Sequence, residues 1–171
     1  MGGLQKQNEG EILFESRSIN SIKQKELNKL RFDKIGFILQ QSNLIPYLKI
    51  KDQFKFIDHI AKRKYDSKKA NNLMEKMDIF KRKELYPEQL SRGEKQRASI
   101  CRDLYNSPKL ILADETTASL DTNRAIQVVQ LLNENTKENN RTTVMATHDE
   151  RLLKYFDRIF RIVDGELTEK K

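Results

Sequence analysis

The sequence has 171 residues, of which 37% are hydrophobic and 34% are charged, and its formal net charge is +8. This length predicts one domain with a core of its own. No uninterrupted apolar run approaches the ~20 residues of a membrane-spanning helix, and the first residues lack the apolar core of a secretory signal. The single cysteine, Cys101, excludes an internal disulfide and fits a reducing cytoplasm.

Short apolar runs alternate with helical patterns along the chain. The predicted elements are strands at 11–14 and 34–39, helices at 23–32, within 50–80 and at 92–106, a strand at 110–113, a helix at 122–137, a strand at 142–146, a helix at 149–155 and a strand at 158–163, with a tight turn at Asp164-Gly165. This alternation predicts an α/β fold with a mostly parallel sheet covered on both faces. Residues 42–107 hold only helices, which predicts a helical subdomain inserted into the core.

The positive charge is concentrated between residues 49 and 83, which carry twelve Lys or Arg and five Asp or Glu. Such a segment is compatible with a solvated helical face. A second interpretation is contact with an anionic surface, either lipid headgroups or nucleic acid. The sequence leaves these interpretations open.

Two adjacent carboxylates, Asp114 and Glu115, follow the apolar strand predicted at 110–113. The first can hold Mg²⁺, usually through water. The second points the other way along the pleat and can polarise water for attack on a γ-phosphate. His148 follows the next strand, and in a doubly wound sheet both strand ends face one crevice. A histidine there can contact the γ-phosphate and orient the attacking water.

Ser91 is a predicted N-cap for the helix at 92–106, and Gly93 lies in its first turn. Backbone amides at a helix N-terminus, a hydroxyl and a glycine that permits close approach together favour an anion site. Gln40 ends the strand predicted at 34–39 and would stand beside the phosphate crevice.

Four stretches, in their order and spacing, resemble the ATP-binding cassette (ABC) family, the nucleotide-hydrolysing subunits of ABC transporters: residues 90–97, 110–115, 119–121 and 146–149. Residues 35–46 are similar to the family's Q-loop. The resemblance implies that the ligands are ATP and Mg²⁺, with the metal at Asp114 and Gln40. It implies that Glu115 and His148 are catalytic, and that the nucleotide is bound by Gln40, Ser91, Gly93, Asp114 and Asp121.

The sequence departs from the family pattern at three of these positions. Arg92 stands where the family has its first signature glycine, Glu94 where it commonly has glutamine, and Thr116 where it usually has proline. Arg92 can either pair with phosphate or obstruct close approach, and the sequence leaves both open.

The resemblance also implies partners. The family's signature motif and D-loop act on a second ABC ATPase subunit, so a homo- or heterodimer is expected. The apolar residues 44–48 lie where such subunits meet their transmembrane permease, and the basic segment would then face the anionic membrane surface. We therefore expect a peripheral protein on the cytoplasmic face of the membrane, and we do not expect a nucleic-acid partner.

The family's phosphate loop, Gly-x-x-x-x-Gly-Lys-Ser/Thr, does not occur in these residues, because none of the six glycines precedes a lysine. Residues 1–14 resemble the segment after the phosphate-loop helix. The expectation is a truncated P-loop NTPase-like domain that lacks the N-terminal strands and the phosphate-loop helix. Its parts would be a core with the Q-loop end (1–41), a helical subdomain with the signature motif (42–107), and a core with Walker B, D-loop and His switch (108–171).

Residues 35–46 and the short helix near 21–31 are most similar to the lipoprotein-release and macrolide-export branch. The favoured interpretation is a transporter ATPase subunit with impaired or no ATP binding on its own. One alternative is a non-catalytic partner subunit that donates the signature motif. Another is a nucleic-acid- or ribosome-associated ABC protein, which the basic segment would suit.

Overall fold

The computed structural model describes residues 2–5, 7–118 and 120–170. Its helices and strands are, in chain order, β1 (Leu13–Phe14), β2 (Arg17–Ser18), α1 (Gln24–Lys34), β3 (Ile35–Ile38), α2 (Ile50–Ile60), α3 (Ser67–Lys76), α4 (Arg92–Tyr105), β4 (Leu110–Asp114), α5 (Thr122–Glu138), β5 (Thr142–Ala146), β6 (Ile159–Val163) and β7 (Glu166–Lys170). The helix predicted at 149–155 is a 3-10 helix, Glu150–Tyr155. Ser119, in the stretch predicted to form the D-loop, lies outside the described residues.

Three strands form a parallel sheet in the order β3-β4-β5, which confirms the predicted α/β fold. The register pairs Ile38 with Ala113 and Asp114 with Ala146. The remaining described strands form two antiparallel hairpins, β1-β2 and β6-β7. The predicted turn between the last two strands is confirmed, since Asp164 and Gly165 have φ values of 49° and 85°, as a two-residue hairpin turn requires.

Side chains alternate between the two faces of this sheet. On one face, the fully buried Ile38 and Ile111 belong to a core that also includes residues of α4 and α5. On the other face, Phe37 and Leu112 are only partly buried and Val144 is 36% exposed. α1 contacts β3 at the margin of this second face. The helices therefore cover the first face more fully than the second.

The helices between the first two sheet strands pack on one another, with α2 and α3 both against α4. The rings of Phe54 and Tyr105 meet edge to face at 5.2 Å. One buried cluster continues from this packing into the sheet, joining Phe54 and Met74 to Ile111. The boundaries of an inserted helical subdomain at 42 and 107 stay a prediction.

A buried carboxylate joins α2 to α4. Asp58, which is 2% exposed, accepts hydrogen bonds from the Tyr105 hydroxyl, from Nε of Arg63 and, at 3.3 Å, from the backbone N–H of Asp66. Burial alone would raise the pKa of Asp58, but the hydrogen bonds from Tyr105 and Arg63 outweigh it and lower the pKa. This carboxylate is therefore stabilised in its charged form.

No helix in the described part of the chain is long and apolar enough to span a membrane.

Candidate functional site at the carboxyl edge of the sheet

The carboxyl ends of three adjacent parallel strands carry the polar residues that the sequence singled out. Gln40 follows β3, Asp114 and Glu115 lie at and beyond the end of β4, and His148 follows β5. Because Ile38 pairs with Ala113 and Asp114 pairs with Ala146, all four residues leave the sheet at the same edge. This is the crevice where ligands bind in open parallel sheets.

Glu115 and His148 are in direct contact. Nδ1 of His148 lies 2.8 Å from both carboxylate oxygens of Glu115 and hydrogen-bonds to Oε1. The other oxygen, Oε2, is buried and makes no hydrogen bond of suitable geometry within the described residues. The glutamate side chain is 27% exposed, whereas that of His148 is 78% exposed. A half-enclosed carboxylate beside an open histidine can bind and polarise a water molecule.

The backbone at Glu115 leaves the strand conformation. Its φ is 46°, in the left-handed region, and its N–H donates to the Ala146 carbonyl at 3.0 Å. The prediction that Glu115 continues the pleat of β4 is therefore wrong, since the strand ends at Asp114. A non-glycine residue held in this region costs on the order of 1–3 kcal/mol, and such strain is concentrated at functional sites. Next to it, Thr116 is fully buried with an unpaired hydroxyl within the described residues.

Asp114 and Gln40 are both exposed, and within the described residues neither side chain makes a hydrogen bond or an ion pair. The described residues contain no cluster of three or more His, Cys, Asp or Glu suited to a metal. Mg²⁺ that accompanies a nucleotide is usually held by one or two protein oxygens and by phosphate oxygens. The free carboxylate and amide fit that manner of binding.

The predicted N-cap at Ser91 is confirmed, as part of a capping box that starts α4. The Ser91 hydroxyl accepts from the Glu94 N–H at 3.3 Å and donates to Glu94 Oε2 at 2.8 Å, while the Ser91 N–H donates to the same oxygen at 2.9 Å. Arg82 donates to Glu94 Oε1 at 2.8 Å. The hydrogen bond from Arg82, and then those from Ser91, lower the pKa of Glu94 to about 2. The hydroxyl expected to bind phosphate thus contacts a carboxylate, while Arg92 is exposed and Gly93 is half-buried.

Asp121 caps α5, since its Oδ1 accepts from the Arg124 N–H at 3.0 Å. Its neighbour Thr122 accepts a hydrogen bond at 2.9 Å from Arg151, which also pairs with Asp149. The start of α5 is therefore tied to the segment that follows His148. Among the described residues, no hydrogen bond or ion pair joins Ser91, Gly93 or Asp121 to the residues at the sheet edge.

Two buried glutamines that the sequence analysis gave no role hold the segment around Gln40. Gln96 on α4 is 2% exposed and donates to the Leu39 carbonyl at 3.0 Å. Gln53 on α2 is 1% exposed, accepts from the Ile45 N–H, and donates to the carbonyls of Ile45 and Leu48. The sequence pattern could have predicted that Gln53 is buried, because Gln53 lies between Ile50 and Phe54 on the apolar face of its helix.

Comparison with known proteins gives consistent results. The model of the ABC transporter family matches residues 1–118. The ATP-binding protein HrtA of Staphylococcus aureus strain MRSA252, which is named for hemin import, is 42% identical over 99% of this chain and 77% of its own length. Its namesake in Staphylococcus haemolyticus is 41% identical over 98% of this chain and 76% of its own.

Solved structures of ATP-binding cassette proteins are also similar to this chain. A dimeric structure of the ATP-binding cassette MJ0796 in a post-hydrolysis state, bound to ADP and Pi, superimposes with a TM-score of 0.90 and 35% identity. The match covers 99% of this chain and 76% of that one. CbiO1 from Clostridium perfringens, part of the cbiONQ ABC transporter complex, has a TM-score of 0.82 and 29% identity, with 98% of this chain and 67% of that chain covered.

Proposed function

The chain belongs to the ABC transporter family, and on that basis we propose that it is the ATP-hydrolysing subunit of a membrane transporter. The observation that carries this proposal is the contact between Glu115 and His148 at 2.8 Å, beside the free carboxylate of Asp114. A water-polarising pair next to a candidate Mg²⁺ ligand is one part of what γ-phosphate hydrolysis requires.

Each residue at the sheet edge has a proposed part in that reaction. Asp114 and Gln40 would hold the Mg²⁺ of the substrate, which neutralises the phosphate charge when bound. Glu115 would accept a proton from the attacking water on its carboxylate. His148 would hold the Glu115 side chain through Nδ1 and contact the γ-phosphate from its exposed side. The left-handed backbone at Glu115 would orient the carboxylate for this task.

We propose that a second cassette subunit completes the site. Ser91 and Gly93 would bind the nucleotide of the other subunit, and Asp121 would contact that subunit. The dimeric structures of MJ0796 support this arrangement, in which the partner is either a second copy or a different cassette. Arg92 is exposed at the start of α4 and would meet the phosphates of the partner's nucleotide.

The transmembrane permease would dock on residues 44–48. The Gln53 side-chain amide donates hydrogen bonds to backbone carbonyls of this segment, and the Tyr47 side chain on it is 77% exposed. The basic segment 49–83 would then face the anionic inner leaflet, so the protein would be peripheral on the cytoplasmic side.

The HrtA relatives, named for hemin import, support hemin as the transported substrate. The similarity to the lipoprotein-release and macrolide-export branch is the competing proposal. A strain lacking this protein should contain an altered amount of cellular hemin, and an unchanged amount would favour the competing substrates.

Residues 1–171 contain no phosphate loop, so the nucleotide phosphates would face Asp114 and Glu115 without its amides and lysine. We propose that this polypeptide alone binds Mg-ATP weakly. Titration calorimetry that measured micromolar affinity would contradict this.

The location of the site can be tested despite weak binding. At millimolar Mg-ATP, amide NMR shifts should change at Gln40, Asp114, Glu115 and His148, and Asp114→Asn should remove the Mg²⁺-dependent part. Mg-AMP is the matched ligand control, because it lacks the β- and γ-phosphates. Shift changes that cluster away from this edge would overturn the proposed site.

Mixed dimers test the non-catalytic alternative. With a partner cassette that hydrolyses ATP, Glu115→Gln should lower the rate at least about a hundredfold at the site of this chain. Glu88→Gln, which changes an exposed acid near α4, is the control. Hydrolysis that is unaffected by Glu115→Gln but lost with Ser91→Ala would favour a subunit that only donates its signature motif.

A further inference from the structure

A basic pocket lies at the amino edge of the sheet, opposite the catalytic edge. The cavity is open to solvent, has a volume of about 390 Å³ and is bordered by α3, the end of α4, the end of α5 and the residue before β5. Four cationic side chains line it: Lys68, Lys69, Lys76 and Arg141. Arg141 directly precedes β5, and the carboxyl end of that strand lies about 16 Å from Arg141, at ~3.3 Å per residue. The pocket is therefore distinct from the site at Asp114 and His148.

The positive charge of this pocket is not neutralised. Among the described residues, none of the four cations forms an ion pair with a carboxylate. The single acidic residue in the lining is Asp66, whose carboxylate accepts from the Lys69 N–H at 2.9 Å and so caps α3. The pocket keeps a net positive charge even with Asp66 ionised.

Neutral groups hold two of the cations in place inside the pocket. Nζ of Lys69 donates to the Ser107 hydroxyl and lies 5.4 Å from the centre of the Tyr105 ring. Arg141 donates to Oδ1 of Asn135 at 2.6 Å. Burial lowers the pKa of Arg141, and burial followed by the charges of Arg63 and Arg141 lowers that of Lys69. A bound anion would relieve this electrostatic cost.

From this arrangement we infer that the pocket binds a small phosphate-bearing anion, of the size of a di- or triphosphate. Its volume is within the range typical of small-molecule sites. The cations supply charge-assisted donors, and the side-chain amides of Asn72 and Asn139 at the rim supply neutral ones. Lys69 and Arg141 are recessed, which suits a compact ligand. A membrane plane or a nucleic-acid strand would contact projecting side chains instead, such as Lys62 and Lys64, which are exposed on the same basic segment.

The test uses the full 171-residue chain and inorganic pyrophosphate without Mg²⁺, measured by titration calorimetry and amide NMR. Lys69→Gln together with Arg141→Gln should weaken binding at least about tenfold, since two charge-assisted contacts are lost. Lys62→Gln with Lys64→Gln removes the same net charge outside the pocket and should weaken it less than about threefold. If the first pair does not fold, Lys68→Gln with Lys76→Gln at the exposed rim takes its place, with an expected loss of at least about fivefold.

The two pairs of variants decide between site binding and general electrostatics. Equal weakening by both pairs would overturn the proposal, and so would pyrophosphate shifts centred on Asp114 and His148. Binding to anionic vesicles or single-stranded RNA that depends on Lys69 and Arg141, with no binding of pyrophosphate, would also overturn it. Localised shifts around Arg141, lost in the first pair and kept in the control pair, would support it.

Discussion

Replacing Glu94 by glutamine should destabilise the protein at neutral pH and leave it almost unaffected in acid. The variant changes a carboxylate to the amide that the family commonly carries at this position. An amide oxygen can still accept from the Ser91 N–H, so the capping box is retained. What is lost is the charge that pairs with Arg82 at 2.8 Å.

The structure sets limits on the size of this effect. The pKa of Glu94 falls from an ordinary value of 4.5 to about 2. At ~1.36 kcal/mol per unit, that shift alone would correspond to about 3.4 kcal/mol. Solvent screens the pair, however, since the side chain of Arg82 is 49% exposed and that of Glu94 is 21% exposed. We therefore expect a loss of about 1 kcal/mol, which for a chain of this size lowers Tm by ~2–4 °C.

The pH dependence has a defined sign. A carboxyl group whose pKa is lowered by folding stabilises the protein fully above its ordinary pKa of 4.5, and this stabilisation disappears as the pH falls to about 2. The difference in unfolding free energy between the protein and Glu94→Gln should therefore shrink to less than half between pH 7 and roughly pH 3.

Urea unfolding followed by circular dichroism at several pH values measures this difference. Glu88→Gln, at an exposed acid on the same segment, should change stability by less than about 0.5 kcal/mol. Arg82→Gln and the double variant complete a cycle whose coupling energy should match the loss in Glu94→Gln. A difference that stays constant from pH 7 to pH 3, or an equal effect of Glu88→Gln, would refute the assignment of the lowered pKa to this ion pair.

Three further substitutions test the contacts that position the site. Tyr105→Phe removes a hydrogen bond to the buried Asp58 and should cost about 2 kcal/mol in urea unfolding, with acid unfolding beginning at higher pH because the pKa of Asp58 would rise; no change in the acid midpoint would contradict this. Gln96→Leu should remove the hydrogen bond to the Leu39 carbonyl, which should cost about 1 kcal/mol and speed amide hydrogen exchange in the residues after Leu39. Unchanged exchange in those residues would argue that this hydrogen bond does not hold the segment. Ile111→Ala, at a fully buried sheet position, should cost about 2–5 kcal/mol by thermal melting, and a cost below about 1 kcal/mol would mean the core is loosely packed.

The sequence predicted the sheet and the polar residues at its carboxyl edge because both depend on local patterns. The strand predicted at 142–146 has the same bounds as β5, and the N-cap at Ser91 precedes α4 as expected. The convergence of Asp114 and His148 followed from strand order alone, since parallel strands end at one edge. No side-chain contact had to be known for these predictions.

The remaining features depend on contacts between distant residues or on backbone geometry. The pairing of Glu94 with Arg82 requires the fold of the segment between them, which no pattern reveals. A strand pattern assumes that side chains alternate between the two faces of the sheet, and the left-handed φ of Glu115 ends this alternation. The Glu115 N–H donates to the Ala146 carbonyl at the end of the neighbouring strand. The strand predicted at 11–14 is shorter in the structure, where β1 covers Leu13–Phe14 and, among the described residues, pairs with β2 alone.

The two edges of the sheet differ in charge, and this separates the two proposed sites. The carboxyl edge presents Asp114 and Glu115, so a polyphosphate at the proposed site would need a cation that offsets the repulsion. The amino edge presents Lys69 and Arg141 without a paired carboxylate among the described residues, so a phosphate group at the inferred site would need no metal. Mg²⁺ should therefore strengthen binding at the first site. At the second it should weaken binding, because the metal competes with the side chains for the same phosphate oxygens. Measuring one anion with and without Mg²⁺ thus distinguishes the sites without any substitution.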